Sequence, residues 1–353
     1  MAERVLVKGT EAMGEAAVRA GCRLFFGYPI TPQNELPEYM SKRMPEVNGT
    51  FLQTESEVAT INMVYGAACT GTRVMTSTSS PGYSLMQEGV SYMACAELPA
   101  VLVNVVRGGP GLGDIQPSQG DYWQATKGGG HGDYKLIVLA PSTVQEAVDL
   151  TVLAFDLADK YRNPTLIVAD GVIGQIMEPV TFPDFVDLSQ LPTHDTWALK
   201  GNKGRQKRIV APFDLDPYRL EQMNLALVAK YEEMERNETR WEEYRLEDAE
   251  VVITAFGTVA RIAKSVVDQA REQGIKAGLF RPITIWPFPY KRLEELSKGK
   301  KLIFDAEMNM GQMLEDVKLA VKDNAPIEFF KRMGGVVPTP DEILGALNSK
   351  LGR

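Results

Sequence analysis

The feature of this sequence that most constrains its fold is a regular alternation between short apolar runs and longer segments whose apolar residues have helical spacing. Alternation of this kind predicts a largely parallel sheet covered by helices on both faces, which is an α/β fold. The strands predicted in the first half of the chain are residues 4–7, 22–29, 49–53, 73–79, 100–106, 136–141 and 165–170.

A second strand and helix series begins at residues 251–257 and continues to the strand KLIFDAE. Between the two series, residues 177–217 are rich in Pro, Asp, Lys and Gly and have no sustained period, and an acidic helix follows them. The 353 residues suit two domains, since a domain has roughly 100–200 residues. We therefore expect a first domain at 1–185, a linker and acidic helix at 186–247, and a smaller α/β domain at 248–353.

The composition excludes several classes of partner. A net charge of -8 argues against nucleic acid or an anionic membrane surface. No stretch approaches the ~18 apolar residues of a membrane span, so we expect a cytoplasmic protein. The three cysteines, Cys22, Cys69 and Cys95, form no CxxC pair, which predicts that this chain itself holds neither a metal ion nor an iron–sulfur cluster.

The segment GYPITPQNEL places Thr31 between two prolines, directly after a predicted strand. Because prolines fix φ on both sides, the Thr31 hydroxyl would be held at the carboxyl end of a strand, where open α/β sheets bind ligands. The same residue could instead cap a helix that Pro32 begins. The local pattern favours the cap.

The segment QTESEVATINMVYGA places Glu57 at the start of a helix, after an apolar strand. A carboxylate in that position could act on a ligand. However, Thr54 and Glu57 also have the spacing of a capping box, in which Glu57 would serve only the helix. The local pattern favours the capping box.

A strand that ends in VVRGGPGLG places Arg107 beside two glycines. A guanidinium there could bind a planar carboxylate with two hydrogen bonds, and the glycines would let the ligand approach the backbone. A salt bridge to a neighbouring carboxylate is the alternative. A nicotinamide site is disfavoured, because GGPGLG matches GxGxxG poorly and a polar loop follows it.

Taken in order, these segments resemble the α-type subunit of the thiamine-diphosphate-dependent 2-oxoacid:ferredoxin oxidoreductases, and the resemblance spans nearly the whole chain. It implies a transketolase-like pyrimidine-binding domain followed by a smaller domain similar to the transketolase C-terminal domain. The segments that carry the resemblance are GYPITP, ESE with AxINMVYGA, SSPGYSLMQEG, VVRGGPGLG, KGGGHGDY, LAPS, ADKYRNP, AFGT, FRPITIWPFP and MNMGQM.

The resemblance also implies roles for particular residues. Glu57 would be the acid that bonds to N1′ of the thiamine aminopyrimidine and favours its reactive imino form. Thr31 would contact the substrate's carboxylate or carbonyl, and Arg107 would hold the carboxylate that is lost as carbon dioxide. The pyrimidine pocket would also be lined by Tyr28, Ser80 and Gly82.

Parts of that machinery are missing from this sequence. The GDG motif that binds the diphosphate and Mg²⁺ is absent, since only Asp170-Gly171 occurs, and no cysteine motif for a cluster is present. The resemblance therefore implies a β-type partner subunit for the diphosphate and Mg²⁺, iron–sulfur clusters on other subunits, coenzyme A as acyl acceptor, and ferredoxin as electron acceptor.

The expected substrate is a branched-chain 2-oxoacid, 2-oxoisovalerate, because RGGPGLGDIQPSQGDY resembles the enzymes of that type. Three alternatives stand beside it: an oxidoreductase for 2-oxoglutarate, which would need a further cation for the distal carboxylate, a nicotinamide dehydrogenase, and a non-catalytic protein that retains the fold.

Overall fold

The structure, a computed structural model, describes residues 4–353. Its strands are, in chain order, β1 (Val5–Lys8), β2 (Leu24–Gly27), β3 (Thr50–Gln53), β4 (Val74–Thr78), β5 (Ala100–Val106), β6 (Ile137–Leu139), β7 (Pro164–Asp170), β8 (Met177–Val180), β9 (Trp241–Tyr244), β10 (Val251–Thr254), β11 (Ala277–Pro282), β12 (Thr284–Trp286), β13 (Leu302–Glu307) and β14 (Ile327–Lys331). Its helices are α1 (Gly9–Arg19), α2 (Glu35–Glu46), α3 (Glu57–Ala68), α4 (Ser80–Cys95), α5 (Tyr122–Thr126), α6 (Val144–Tyr161), α7 (Gly171–Gln175), α8 (Pro217–Asn237), α9 (Gly257–Glu272), α10 (Tyr290–Ser297), α11 (Gln312–Val321) and α12 (Pro340–Lys350).

The larger sheet has seven strands in the order β12-β6-β7-β5-β4-β2-β3. All neighbouring pairs are parallel except β12 with β6. The central strands β5 and β7 are buried along their whole length, so both faces of the sheet are covered, and α4 and α6 each contact both strands. The predicted α/β class with a largely parallel sheet is confirmed.

A smaller sheet of five strands has the order β14-β13-β10-β11-β9, in which only β9 runs antiparallel to its neighbour. Strands β1 and β8 pair antiparallel in a third sheet of two strands. Helices α9 and α12 pack together, and α9 lies on β11. Two strands belong to a different sheet from the one that their place in the chain predicts. Strand β9 precedes residue 248 but belongs to the smaller sheet, and β12 follows residue 248 but belongs to the larger sheet. The domain boundaries at 185 and 248 stay a prediction.

Buried hydrogen bonds tie the two domains together. At the end of β7, Asp170 accepts from the hydroxyl of Thr258 at 2.7 Å and from its backbone N–H at 3.2 Å. Gln119 donates to the carbonyl of Phe256 at 2.8 Å and accepts from the N–H of Met308 at 3.0 Å. One apolar core also contains residues of both domains. The segments after β5, β7 and β13 therefore have fixed relative positions.

No helix in the part of the chain that the structure describes is long and apolar enough to cross a membrane. Cys22 and Cys69 are buried and Cys95 is half-buried, and all three are free thiols. Residues 4–353 contain no group of three or more His, Cys, Asp or Glu side chains that could hold a metal ion.

Strand β13 carries two buried carboxyl groups that face each other, those of Asp305 and Glu307. Thr254 donates to Asp305 at 2.6 Å, whereas Glu307 accepts from the backbone N–H groups of Met313 and Leu314, each at 2.9 Å. Burial, and then the negative charge of Glu307, raise the pKa of the Asp305 carboxyl well above its usual value. Asp305 is therefore the member of the pair that keeps its proton in the folded chain.

This pair predicts a stability that depends on pH. A carboxyl whose pKa is raised by folding binds more protons in the folded state, so its contribution to stability falls as pH rises from its unfolded pKa, about 4, towards the raised value. Asp305→Asn cannot ionise and should be free of that loss. We expect the free energy of unfolding of the variant, minus that of the wild type, to increase with rising pH. The increase should be at most about 1.4 kcal/mol per pH unit. Denaturant titrations across neutral pH test this expectation, and a constant difference would contradict it.

Candidate active site

The predicted site segments meet at one edge of the larger sheet. Strands β5, β4, β2 and β3 are neighbours in that order and run parallel, so their carboxyl ends lie side by side. The segments that follow these strands begin at Arg107, Ser79, Tyr28 and Thr54. This edge is where open parallel sheets bind ligands.

Glu57 lies in the first turn of α3, but it does not form a capping box. The helix is capped by Ser56, which accepts from the N–H of Ala59 at 3.2 Å. The N–H of Thr54 donates to the carbonyl of Gly27 at 2.9 Å, so it is not available to Glu57. The carboxylate makes no hydrogen bond or ion pair with any described residue, although Glu57 is only 5% exposed. The side chain as a whole is buried, but its unpaired carboxylate oxygens keep some contact with solvent, so they are available to a ligand.

Gly82 leaves room beside the Glu57 carboxylate. A Cβ at residue 82 would lie 2.4 Å from Oε1 of Glu57 and 2.1 Å from Oγ1 of Thr78, so only glycine fits there. The hydroxyls of Thr78 and Ser79 are also buried and have no hydrogen-bond partner in the structure. A carboxyl and two hydroxyls without partners suit a flat heterocycle with several nitrogen atoms, such as the thiamine pyrimidine.

Unlike Thr78 and Ser79, Ser80 has hydrogen-bond partners within the fold. Its N–H donates to Oδ1 of Asn104 at 2.8 Å, and its hydroxyl accepts from the N–H of Arg107 at 3.0 Å. It therefore links the start of α4 to the end of β5. Its direct contact with a cofactor stays a prediction, as does that of Tyr28, whose side chain is half-buried.

Arg107 is buried, and no acidic side chain of the described residues lies within ion-pair distance of it. Its Nη1 donates to the carbonyl of Thr31 and its Nη2 to the carbonyl of Leu112, both at 2.8 Å, while Nε is buried without a partner. The salt-bridge alternative is therefore wrong. Carbonyl oxygens orient the guanidinium without neutralising its charge, which stays available to an anionic ligand.

Thr31 does not cap a helix, since α2 begins at Glu35 after Asn34. The capping alternative for this residue is therefore wrong. Its side chain is exposed, and its backbone carbonyl is what contacts Arg107. Thr31 and Arg107 are thus joined, whereas the structure shows no hydrogen bond between either of them and Glu57.

A cleft of about 680 Å³ opens beside Arg107, between the two domains. The first domain contributes Ser80 and Asp121, and the second contributes the Met308–Met310 turn. Asp121 was not predicted as a site residue from the sequence. Burial raises the pKa of the Asp121 carboxyl, while hydrogen bonds from Ser80 and Asn104, and then the charge of Arg107, act in the opposite direction.

One signal in the sequence could have pointed to this neighbourhood. Asn104 is the single polar residue of the buried strand AVLVNVV and is fully buried. A buried amide must find partners, and those of Asn104 are Ser80 and Asp121. The partners themselves could not be named without the fold.

Fold and site together define an α/β protein of the thiamine-diphosphate-binding class. A family model described as pyruvate flavodoxin/ferredoxin oxidoreductase, thiamine diphosphate-binding, matches residues 15–246. A second, described as pyruvate:ferredoxin oxidoreductase core domain II, matches residues 249–343. The chain belongs to the 2-oxoacid:ferredoxin oxidoreductase family, as one subunit of a thiamine-diphosphate-dependent enzyme.

Curated relatives refine the comparison. Ketoisovalerate oxidoreductase subunit VorB of Methanothermobacter marburgensis is 52% identical, over 94% of this chain and 93% of its own length. The same subunit of Methanothermobacter thermautotrophicus is 50% identical with the same coverage. The 2-oxoglutarate synthase subunit KorA of Methanothermobacter thermautotrophicus is 35% identical, over 98% of this chain and 99% of its own.

Two solved structures share the fold. The 2-oxoglutarate:ferredoxin oxidoreductase from Magnetococcus marinus, solved with 2-oxoglutarate, coenzyme A and succinyl-CoA, matches with a TM-score of 0.89 and 26% identity. The match covers 99% of this chain and 66% of that one. A split-gene transketolase, described as an inactive β4 tetramer, matches with a TM-score of 0.59 and 13% identity over 98% of each chain, and this likeness concerns the fold alone.

Proposed function

We propose that this chain is the pyrimidine-binding subunit of an oxidoreductase that converts 2-oxoisovalerate to its acyl-CoA, releases carbon dioxide and reduces ferredoxin. The observation that carries the substrate choice is the gap in identity. The relatives named for ketoisovalerate are 50% and 52% identical, whereas the 2-oxoglutarate relative is 35% identical at similar coverage.

The lining of the cleft supports a substrate with one carboxylate and an apolar remainder. Among the described residues that line it, Arg107 and Asp121 are the only charged ones. A dicarboxylate such as 2-oxoglutarate would need a second cation, because a buried unpaired carboxylate is costly. Much of the remaining lining is apolar and includes Trp123, Met308 and Met333.

The roles of the site residues follow from their surroundings. Thiamine diphosphate, when bound, supplies the carbanion chemistry that a 2-oxoacid needs in order to lose its carboxylate. Glu57 would hold a proton against the pyrimidine, in the space that Gly82 leaves open. Arg107 would bind the substrate carboxylate, with Thr31 beside it, and Tyr28 and Ser80 would complete the pocket.

The diphosphate and Mg²⁺ would be held by a β-type partner subunit, and the clusters that pass electrons to ferredoxin would lie on other subunits. The hydrogen bonds of Asp170 support this division. The carboxylate accepts from Thr258 and from the N–H groups of Val172 and Ile173, so it is occupied in joining the domains. Three free thiols agree with a reducing compartment, the cytoplasm.

The test is dye or ferredoxin reduction by the co-purified complex with thiamine diphosphate and coenzyme A. We expect kcat/KM for 2-oxoisovalerate to exceed that for 2-oxoglutarate by at least about a hundredfold, since an unpaired buried carboxylate costs several kcal/mol. Pyruvate serves as the comparison for side-chain size. Preference for another 2-oxoacid would overturn the substrate assignment, and inactivity with every acid in a complex with intact clusters would overturn the enzymatic role.

A further inference from the structure

Asp121 is connected to Arg107 by a short path of hydrogen bonds. The amide of Asn104 donates to Oδ2 of Asp121 at 2.8 Å, and its oxygen accepts from the N–H of Ser80 at 2.8 Å. The hydroxyl of Ser80 in turn accepts from the N–H of Arg107 at 3.0 Å. Asp121 does not use its side chain to cap α5, which begins just after it. Its carboxylate is therefore directed towards the end of β5.

We propose that Asp121 is the countercharge of Arg107 and sets how tightly the site holds the carboxylate of the substrate. The inference rests on the proposed role of Arg107. The only charged residues among the described cleft lining are these two, and they carry opposite charges. Burial raises the pKa of the Asp121 carboxyl, and the charge of Arg107 lowers it, less than the hydrogen bonds from Ser80 and Asn104 do. Asp121 thus acts through Arg107 and is a positioning residue.

The loss of the substrate carboxylate explains why a negative charge beside Arg107 is useful. The substrate carboxylate leaves as neutral carbon dioxide, so its attraction to Arg107 is stronger in the bound substrate than in the transition state. An interaction of that kind lowers KM and lowers the rate of the chemical step with it. A negative charge beside Arg107 weakens binding of the carboxylate, and this weakening is relieved as the carboxylate is lost.

Asp121→Asn separates this role from a structural one. The amide oxygen of asparagine can still accept the hydrogen bond from Asn104, while the negative charge is removed. In the full complex, the concentration dependence of single-turnover release of carbon dioxide gives both the substrate Kd and the rate constant of release. We expect both to fall severalfold and by similar factors, so that their ratio stays nearly constant.

Asp133→Asn is the matched control. Asp133 is an exposed carboxylate of the same domain and does not line the cleft, so neither constant should change. Two results for Asp121→Asn would overturn the proposal. Unchanged constants would show that Asp121 only accepts a hydrogen bond, and a raised Kd would show that it supports the shape of the site.

The wild-type complex provides a second measurement, which does not require a variant to assemble. Protonation of Asp121 at lower pH should reproduce the paired fall of Kd and rate constant. The charged or titratable groups that face Asp121 are Arg107 at the end of β5 and Tyr83 on α4. Arginine keeps its charge, and burial raises the pKa of Tyr83, so neither changes its charge at neutral pH or below. A Kd that does not fall as pH is lowered would overturn the proposal.

Failure of this inference differs from failure of the proposed function. If the wild-type complex turns over no 2-oxoacid, the proposed function is wrong. If it turns over a 2-oxoacid and Asp121→Asn leaves both constants unchanged, only the countercharge is wrong.

Discussion

Replacing Glu57 by glutamine is expected to leave a folded, assembled complex whose turnover is lower by at least about a hundredfold, the size of a general acid–base contribution. Glutamine has nearly the same shape but cannot exchange a proton with a bound pyrimidine. The carboxylate has no partner in the structure, so its removal breaks no contact of the fold. Steady-state dye reduction and thermal unfolding of the variant complex measure the two effects.

The matched control is Glu55→Gln. Glu55 precedes the same helix by two residues but is exposed, so we expect wild-type turnover. For Glu57→Gln the unfolding temperature should be unchanged, because the substitution breaks no hydrogen bond or ion pair with a described residue. Turnover within a factor of about two of the wild type would exclude Glu57 from the acid–base role, which should contribute far more than that.

Replacing Arg107 by lysine should weaken binding of the 2-oxoacid and raise its KM by about a hundredfold. That loss of binding corresponds to about 3 kcal/mol, the size expected for charge-assisted hydrogen bonds to a carboxylate. The guanidinium contacts two carbonyls, those of Thr31 and Leu112, and still has a buried Nε without a partner. A lysine has one nitrogen and cannot keep both carbonyls while it binds a planar carboxylate.

Arg236→Lys is the control for this substitution, because Arg236 lies on the acidic helix α8 and its side chain is 63% exposed. The Arg236→Lys variant should leave KM and kcat/KM for the 2-oxoacid unchanged. Thermal unfolding of Arg107→Lys must accompany the kinetics, since the two carbonyl contacts also hold their loops. A variant that is as stable as the wild type and has an unchanged KM would show that Arg107 does not bind the substrate.

The local pattern and the tertiary structure disagreed where one residue type could serve two purposes. Thr54 and Glu57 have the spacing of a capping box, yet Ser56 caps the helix because Thr54 is held by the neighbouring strand through Gly27. Thr31 precedes a proline in the manner of a helix start, yet α2 begins four residues later. The contact with Gly27 decided the first case, and the later start of α2 decided the second.

The sequence by itself determined the class of fold and the family. The alternation of apolar runs with helical periods predicts a parallel sheet, because both patterns follow from local backbone geometry. The ordered segments that resemble the 2-oxoacid:ferredoxin oxidoreductases were sufficient to predict the family, as the two matching family models confirm. Glu57, Thr31 and Arg107 could be selected from these segments alone.

Only the tertiary structure decided which of these residues meet and what each of them contacts. The strand order β5-β4-β2-β3 brings Gly82 beside Glu57, and no local pattern in the sequence specifies that order. Asp121 and Asn104 are far apart in the chain, and the loop after β5 turns back so that the Asn104 amide nitrogen lies 2.8 Å from Oδ2 of Asp121. Contacts between residues far apart in the chain depend on packing, and local propensity does not determine them.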